Sequence, residues 1–495
     1  MIVLQVLYTL SAVGLALIGF NALILSILYL IHRHAGIVEP DPHNITDWPT
    51  VVVQLPIYNE RYVVERLIEA ATQLDYPRHR LFIQLLDDST DETVTRIAAA
   101  VERARAAGLS IEHIRRPSRE GFKAGALAYG LEHTQADFVT IFDADFVPAP
   151  DYLRRVIPYF LSDERLGMVQ TRWAHLNAET NALTRAQALA LDGHFVVEQT
   201  ARHRSGLLMN FAGTAGVWRR QCIEDSDGWH WDTLSEDIDL SYRAQMKGWR
   251  FLYLPDVAVP AEIPALMMAF KRQQARWATG TIQCLRKLGG TLLRARLTFW
   301  QKAEALIHLS GYLMHPLMLL ILLLTLPLML SGQMSELPLA GLGVAMLGAP
   351  LEAVLSQSRL YPRWWKRLAA YPVLMMIGAG IAVSNTQAIL KALSGKAQPF
   401  LRTPKFEVRE SRSAWIGSVY ALPADATIGI EIFFALYAAA TAVLSVSRLP
   451  ALTPFLLLYA LGFGYVAALS LWQGRVVRYV LPSQQQSYGL FSNAR

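Results

Sequence analysis

The chain is short of cysteine and of charge. Only two cysteines, Cys222 and Cys284, occur in 495 residues, and neither stands in a metal-type spacing. A disulfide framework and a cysteine-built zinc site are thereby excluded, and a reducing compartment is implied for the soluble part. Charged residues make up 17% of the chain, against about a quarter in ordinary soluble domains, while apolar residues reach 53%. Mean hydropathy is positive, at +0.26. Internal repeats and low-complexity tracts are also missing, which removes solenoids and long disordered tails. The net charge of +6 and pI near 9.2 would suit nucleic acid, but the basic residues cluster beside apolar runs, where they set membrane topology. No nucleic-acid partner is expected.

The chain is rich instead in long apolar runs, placed at its two ends around a more polar middle. Residues 2 to 31 are nearly uncharged and end at His32, Arg33 and His34, too long and with basic residues on the wrong flank for a signal peptide. They read as a membrane helix that delivers the polar middle of the chain to the cytoplasm. Further apolar blocks lie at about 303 to 331, 338 to 357, 368 to 388, 425 to 447 and 451 to 472. The loops at 359 to 367 and 391 to 412 are both basic and both read as cytoplasmic, so part of 368 to 395 is expected to be re-entrant or interfacial. The expected divisions are 1–34, an N-terminal transmembrane helix; 35–262, a cytoplasmic α/β domain; 263–302, interfacial amphipathic helices; 303–390, transmembrane helices; 391–424, a basic cytoplasmic loop; 425–473, a transmembrane pair; and 474–495, a cytoplasmic tail. These divisions describe a multi-pass membrane protein.

Between 51 and 142 the pattern alternates. VVVQLP (51 to 56), LFIQLL (81 to 86) and DFVTIF (137 to 142) are buried-strand runs separated by amphipathic helical stretches. Such alternation predicts a mostly parallel sheet, which binds ligands beyond the carboxyl ends of its strands. Acids stand at two of those ends: Asp87 and Asp88, then Asp143 and Asp145. Each cluster alone suits a turn or a helix cap equally well; two on one rim favour a cation or nucleotide site. Asp143 and Asp145 form an Asp-x-Asp element, two hard oxygen donors on one turn, suited to Mg2+ or Mn2+ bridging to phosphate. SREGFKAGAL places Arg119 and Lys123 among Gly121 and Gly125, within reach of a nucleotide or its phosphates, or simply starts a helix. FAGTAGVW, with Gly213 and Thr214, reads as a small-residue turn that lets backbone approach a ligand. WDTLSEDIDLSYRAQMKGW reads as a helix capped by Ser235 and closed at Lys247 and Gly248, with Asp237 a candidate general base.

In PALMMAFKRQQARWATGTIQCLRKLGG (264 to 290), read as a helix, Gln273, Arg276 and Trp277 share one face. Arginine offers a donor fork to phosphate oxygens and the indole a flat seat for a sugar ring. The same stretch also suits a helix lying on a membrane, its cations at the headgroups.

QLPIYNE, LLDDSTDET, GFKAGAL, IFDADFVPAPD, VQTRWAHLN, FAGTAGVWR, SEDIDLSYR and QQARW, in this order, resemble the family-two inverting glycosyltransferases. The subgroup is similar to the cellulose synthase-like mannan and glucan synthases, and the likeness covers residues 51 to 290. It implies a nucleotide-sugar-binding α/β domain of the glycosyltransferase A type, inserted in an α-helical polytopic membrane domain. By position it gives Asp87 and Asp88 to the nucleotide and Lys123 and Arg276 to the donor. Asp143 and Asp145 would hold the diphosphate through a metal, Mg2+ or Mn2+. Asp237 would be the base, and Gln273, Trp277, Gly213 and Thr214 would meet the acceptor. PFLRTPKFE resembles the gating loop of cellulose synthases through Phe400, Thr403 and Lys405, with Arg402 where Val is usual. Ser235 replaces a commoner Thr, and Ala212 an Asn. The short stretch after 472 leaves no room for a cyclic-dinucleotide receptor domain.

The expected partners are a nucleotide sugar (UDP- or GDP-hexose), a glycan or lipid acceptor, and a membrane, as in a bacterial inner membrane with the catalytic domain cytoplasmic. The expected activity is inverting transfer of hexose from UDP-glucose or GDP-mannose to a growing β-glycan, with coupled translocation. Single addition to a membrane lipid and a non-enzymatic scaffold are the alternatives.

Overall fold

The computed structural model describes residues 1–36, 40–41, 45–337, 341–395, 403, 405 and 425–489, with side chains as far as 475 apart from 335 and 336. Helix α1 (Ile2–His32) leads into a seven-stranded sheet: β1 (Val51–Ile57), β2 (Leu81–Asp87), β3 (Ile111–Ile114), β4 (Phe138–Ile141), β5 (Leu166–His175), β6 (Gly216–Arg219) and β7 (Arg250–Ala261). The spatial order is β3-β2-β1-β4-β6-β5-β7. Strands β1 to β4 are mutually parallel, β6 runs antiparallel to β4 and β5, and β7 is parallel to β5. Val51, Val53, Leu55 and Ile57 enter one core layer and Val52 the other, because successive side chains alternate across a sheet. Helices α2 (Val64–Thr72), α3 (Thr93–Ala106), α4 (Phe122–Glu132) and α5 (Tyr152–Leu161) supply the crossovers. Strand β3 falls in an interval whose sequence reads as helix-rich. Its four residues, only the first of them buried, form an edge too short to give an apolar-run signal.

Beyond β5 lie α6 (Ala182–Gly193), a π-turn at His194–Glu198, α7 (Gln199–Arg204), α8 (Arg220–Asp225) and α9 (Glu236–Met246). The long helix α10 (Met267–Arg294) crosses α9 on its way to the membrane helices. Ser235 precedes α9 as read from sequence, but its side chain caps nothing. It lies instead against Gly280 of α10, where an added Cβ would come within 2.1 Å of Ser235 Oγ and 2.8 Å of Ser235 N. Helix packing has displaced the cap.

The remaining helices are α11 (Phe299–Ser310), α12 (Met314–Leu330), α13 (Gly348–Leu360), α14 (Trp364–Arg367), α15 (Tyr371–Gly380), α16 (Ala382–Leu393), α17 (Thr427–Arg448) and α18 (Thr453–Gly489). Four stretches among the described residues are long and apolar enough to cross a membrane: Ile2–His32, Phe299–Leu330, Thr427–Arg448 and Pro450–Arg475. The stretch from Trp364 to Leu393 is bent by 43°, in the region where loop charge demanded a re-entrant or interfacial element. The apolar run at 338 to 357 is not one spanning helix. Its described part is a 3-10 segment followed by the 13-residue α13, which packs on α1 and α6 and is too short to cross a bilayer.

Helix α10 is tied to the last two helices by polar bonds. Met267 N donates to Gln473 Oε1 at 2.8 Å, and the buried Lys271 ammonium meets Glu431 of α17 at 2.6 Å. Removing one member of a buried ion pair costs about 3–5 kcal/mol, whereas replacing both with apolar groups is near neutral. Lys271→Met alone should therefore destabilise the protein by about 3–5 kcal/mol, and adding Glu431→Leu should recover most of it. Thermal unfolding of the two variants in one detergent compares them.

Candidate active site

The carboxyl ends of β1, β2 and β4 open on one cavity, with a volume of about 170 Å3. Asp88, Lys123, Asp143, Asp145, Gly213, Asp237, Gln273, Arg276 and Trp277 all line it, as do Thr403 and Lys405. The sheet brings Asp88, Asp143 and Asp145 to the rim, α9 presents Asp237, and α10 closes the far side. Ordinary ligand pockets run to roughly 300–1,000 Å3; here Thr403 and Lys405 take up part of the room.

Carboxylates and ammonium groups alternate around the wall. Lys123 Nζ meets Asp143 Oδ1 at 2.5 Å and donates to Gly213 O at 2.8 Å. Burial opposes the charge on Lys123, but Asp143, Glu236 and Asp237 outweigh it and hold its pKa above the ordinary lysine value. Lys405 Nζ reaches Asp145 Oδ2 at 2.7 Å and Glu262 O at 2.8 Å. Burial raises the pKa of Asp145, which Lys405 lowers and Asp143 and Glu262 push further up. Asp237 is lifted to about 7, first by burial and then by neighbouring Glu236; the Ile238 N–H, Lys123 and Arg276 pull the other way. Gly213, at φ +83, leaves room for Asp237: a Cβ there would lie 3.0 Å from Asp237 Oδ2.

Asp88 is held by Arg116 through two bonds, of 2.8 and 2.6 Å. Arg116 also donates to Phe122 O at 2.6 Å and to Glu120 O, which anchors the turn that delivers Lys123. Two expected ligand contacts are turned away from the cavity. Asp87 has no exposed side-chain surface; its carboxylate meets His113 Nε2 at 2.8 Å and accepts from Ser89 N at 2.8 Å. The strand pleat sends it away from the cavity and leaves Asp88 to face it. Thr214 is also buried, and its hydroxyl accepts from Asp143 N at 2.9 Å, so it props the Asp-x-Asp turn and is no part of the wall. Phe400 lies outside the described residues.

The cavity also holds Arg119, which the sequence placed beside Lys123, and two residues that the sequence did not single out, His175 and Glu262. Arg119 stacks 3.4 Å over the Tyr58 ring beside Asp88, a cationic and aromatic platform at the rim. His175 and Glu262 stand in the opposite wall, with Glu262 bonded to Arg66 at 2.8 Å. No spacing rule flags His175 and Glu262, because they stand at the ends of two different strands, β5 and β7. For a divalent cation, Asp143 and Asp145 are the fitting donors: two hard carboxylates on one turn, each in contact with an ammonium group that marks a demand for positive charge. Among the described residues no group of three or more His, Cys, Asp or Glu is placed to hold a metal ion, so the rest of such a cation's shell would come from ligand oxygens.

This sheet order, with paired acids on the rim and Asp237 on the helix opposite, is the α/β fold of the glycosyltransferase A type. Residues 49–280 match the family described as "Glycosyltransferase like family 2". The chain is 41% identical over 260 residues to glucomannan 4-beta-mannosyltransferase 7 of Arabidopsis thaliana, a match covering 52% of this chain and 47% of that protein. It is 40% identical over 281 residues to glucomannan 4-beta-mannosyltransferase 1 of Oryza sativa subsp. japonica, covering 56% and 54%. The chain thus spans about half the length of these curated relatives. A mannosyltransferase from Pyrobaculum calidifontis, solved with GDP-Man and Mn2+, shares the fold: TM-score 0.52 and 21% identity, over 79% of this chain and 100% of that one.

The contact of Gly280 with Ser235 fixes where α9 starts, and hence where Asp237 points. Gly280→Ala should cost about 1–3 kcal/mol through overpacking and lower turnover more than nucleotide affinity. Adding Ser235→Gly should restore part of both, because the hydroxymethyl clash disappears while the one at Ser235 N stays. Paired unfolding and nucleotide-binding titrations check this.

Proposed function

We propose that this protein is an inverting hexosyltransferase that moves mannose from GDP-mannose onto the non-reducing end of a growing β-glycan and passes the product through its own membrane helices. One observation carries the reading: Asp143, Asp145, Asp237, Arg276 and Trp277, far apart in the chain, line a single cavity. The choice of mannose rests on relatives named glucomannan 4-beta-mannosyltransferases, at 40–41% identity; UDP-glucose is the competing donor. The basic loops beside the apolar helices support a cytoplasmic catalytic domain, as in a bacterial inner membrane.

A nucleoside diphosphate leaves readily once its charge is neutralised, and Lys123 and Arg276 stand where that charge would develop. Asp143 and Asp145 would hold Mg2+ or Mn2+, and the bound cation would supply Lewis-acid stabilisation of the diphosphate; a mannosyltransferase of the same fold was solved with Mn2+. Trp277 and Gln273 would seat the acceptor sugar. Asp237 would take the proton of the attacking hydroxyl; with attack opposite the leaving group, an α-linked donor yields a β-linkage. A base of pKa about 7 is well matched to this task near neutrality.

The direct test incubates purified full-length protein with radiolabelled GDP-mannose or UDP-glucose and Mn2+ or Mg2+. Label entering polymer supports the reading, and label confined to an extractable glycolipid contradicts it. Asp237→Asn should lower kcat by about 10²- to 10⁴-fold with donor binding kept. Because the carboxylate must be ionised to accept a proton, wild-type kcat/KM should rise with pH through about 7 and level off above it.

Lys405 meets the oxygen that a cation would need on Asp145. Lys405→Met should therefore tighten Mn2+ binding at least about tenfold, read by calorimetry without donor present; unchanged affinity would show that the ammonium does not compete.

A further inference from the structure

A second cavity, of about 640 Å3, lies where α6 of the catalytic domain meets α13, α14 and α15. Four cations line it, Arg185, Arg363, Lys366 and Arg367, against one carboxylate, Glu179. Glu179 is shared: Arg185 Nε reaches it at 3.0 Å and Arg367 Nη1 at 2.9 Å. Arg367 is further fixed by Gln357 Oε1 at 2.8 Å and by stacking 3.9 Å over the Tyr361 ring. Arg363 and Lys366 are exposed and, among the described residues, meet no carboxylate. The site therefore has an excess of positive charge with one arm already held in place.

The remaining wall is apolar: Leu189, Ala369, Ala370 and Val373. Val373 sits in the first turn of α15, which continues as the apolar half of the bent membrane element. Trp364 and Trp365 lie between the two uncommitted cations, and Trp365 is 56% exposed. Indoles and cations together at the start of an apolar helix mark the headgroup level of a bilayer. A free phosphate needs the cations but not the apolar wall or the exposed indole.

We propose that this cavity binds the phosphate headgroup of an anionic phospholipid, with Arg363 and Lys366 as its principal contacts and the acyl chains running along α15. Charge complementarity, size and continuity with the membrane surface all fit this occupant. Its cations also connect to the catalytic cavity: Gln357, which accepts from Arg367, donates to Asp192 at 2.9 Å, and Asp192 meets His175 of the catalytic wall at 3.1 Å.

The test reconstitutes the full-length protein in phosphatidylcholine vesicles with and without phosphatidylglycerol, re-extracts it in mild detergent and measures retained lipid by native mass spectrometry. Wild type should retain phosphatidylglycerol in preference to phosphatidylcholine. The double substitution Arg363→Ala and Lys366→Ala should lower that preference about thirtyfold, at about fivefold for each cation near an anionic surface. Both side chains are exposed and outside any described ion pair, so the variant should unfold at the wild-type temperature, which separates lost binding from lost fold. Equal retention of the two lipids, or retention unchanged in the double variant, would overturn the proposal. So would displacement of the lipid by millimolar inorganic phosphate, which would mean a site for phosphate alone. None of these readouts depends on sugar transfer, so they stand or fall apart from the catalytic reading.

Discussion

The structure depends on holding several carboxylates close together in a place with little water. Asp143, Asp145, Glu236 and Asp237 share one cavity, and carboxylates so placed repel each other and lose hydration. The protein meets this with Lys123 on Asp143 and Lys405 on Asp145, while Asp237, which among the described residues has no ion pair, is pushed up to about 7. The uneven distribution of cations separates the roles. The two carboxylates of the Asp-x-Asp turn each have a lysine against them, and Asp237, left to burial, has its pKa carried to about 7.

Helix α10 makes this cavity a membrane-linked one. On one side it carries Gln273, Arg276 and Trp277 into the wall. At its first turns Met267 and Lys271 are bonded to α18 and α17, and at Gly280 it rests on the residue that precedes α9. A shift of the membrane helices would thus reach both the face carrying Gln273, Arg276 and Trp277 and the helix carrying Asp237. The same economy recurs on the opposite flank, where Asp192 joins His175 in the cavity to Gln357 of α13.

Much of the α/β domain was legible because its signals are local. The apolar strands at 51, 81 and 138, the acids that come after them, and the 3.6-residue spacing of Gln273, Arg276 and Trp277 each depend on neighbours in the chain. Edge strand β3 escaped because four residues with one buried position carry no period. The pair Asp87 and Asp88 could not be resolved without the pleat, since adjacent residues of a strand point to opposite faces and nothing local says which faces the ligand. Ser235 has the composition of a cap, yet contact with Gly280 overrides that preference. The run at 338 to 357 has spanning hydropathy, and packing against α1 and α6 makes part of it the short α13.

The sequence by itself determined the alternation that builds a mostly parallel sheet, the identity of the rim acids and the membrane character of both ends, since these rest on periodicity and transfer free energy that any short window carries. Tertiary structure alone decided that Thr214 and Asp87 support the wall while Asp88 faces it, and that Lys405 reaches Asp145 across 260 residues. It alone gathered Arg185 with Arg363, Lys366 and Arg367 around one cavity. The physical reason is the same in each case: a side chain's charge is written in the chain, but the surroundings that set its cost and its partner come from segments distant in sequence, and exist only once the chain has closed around them.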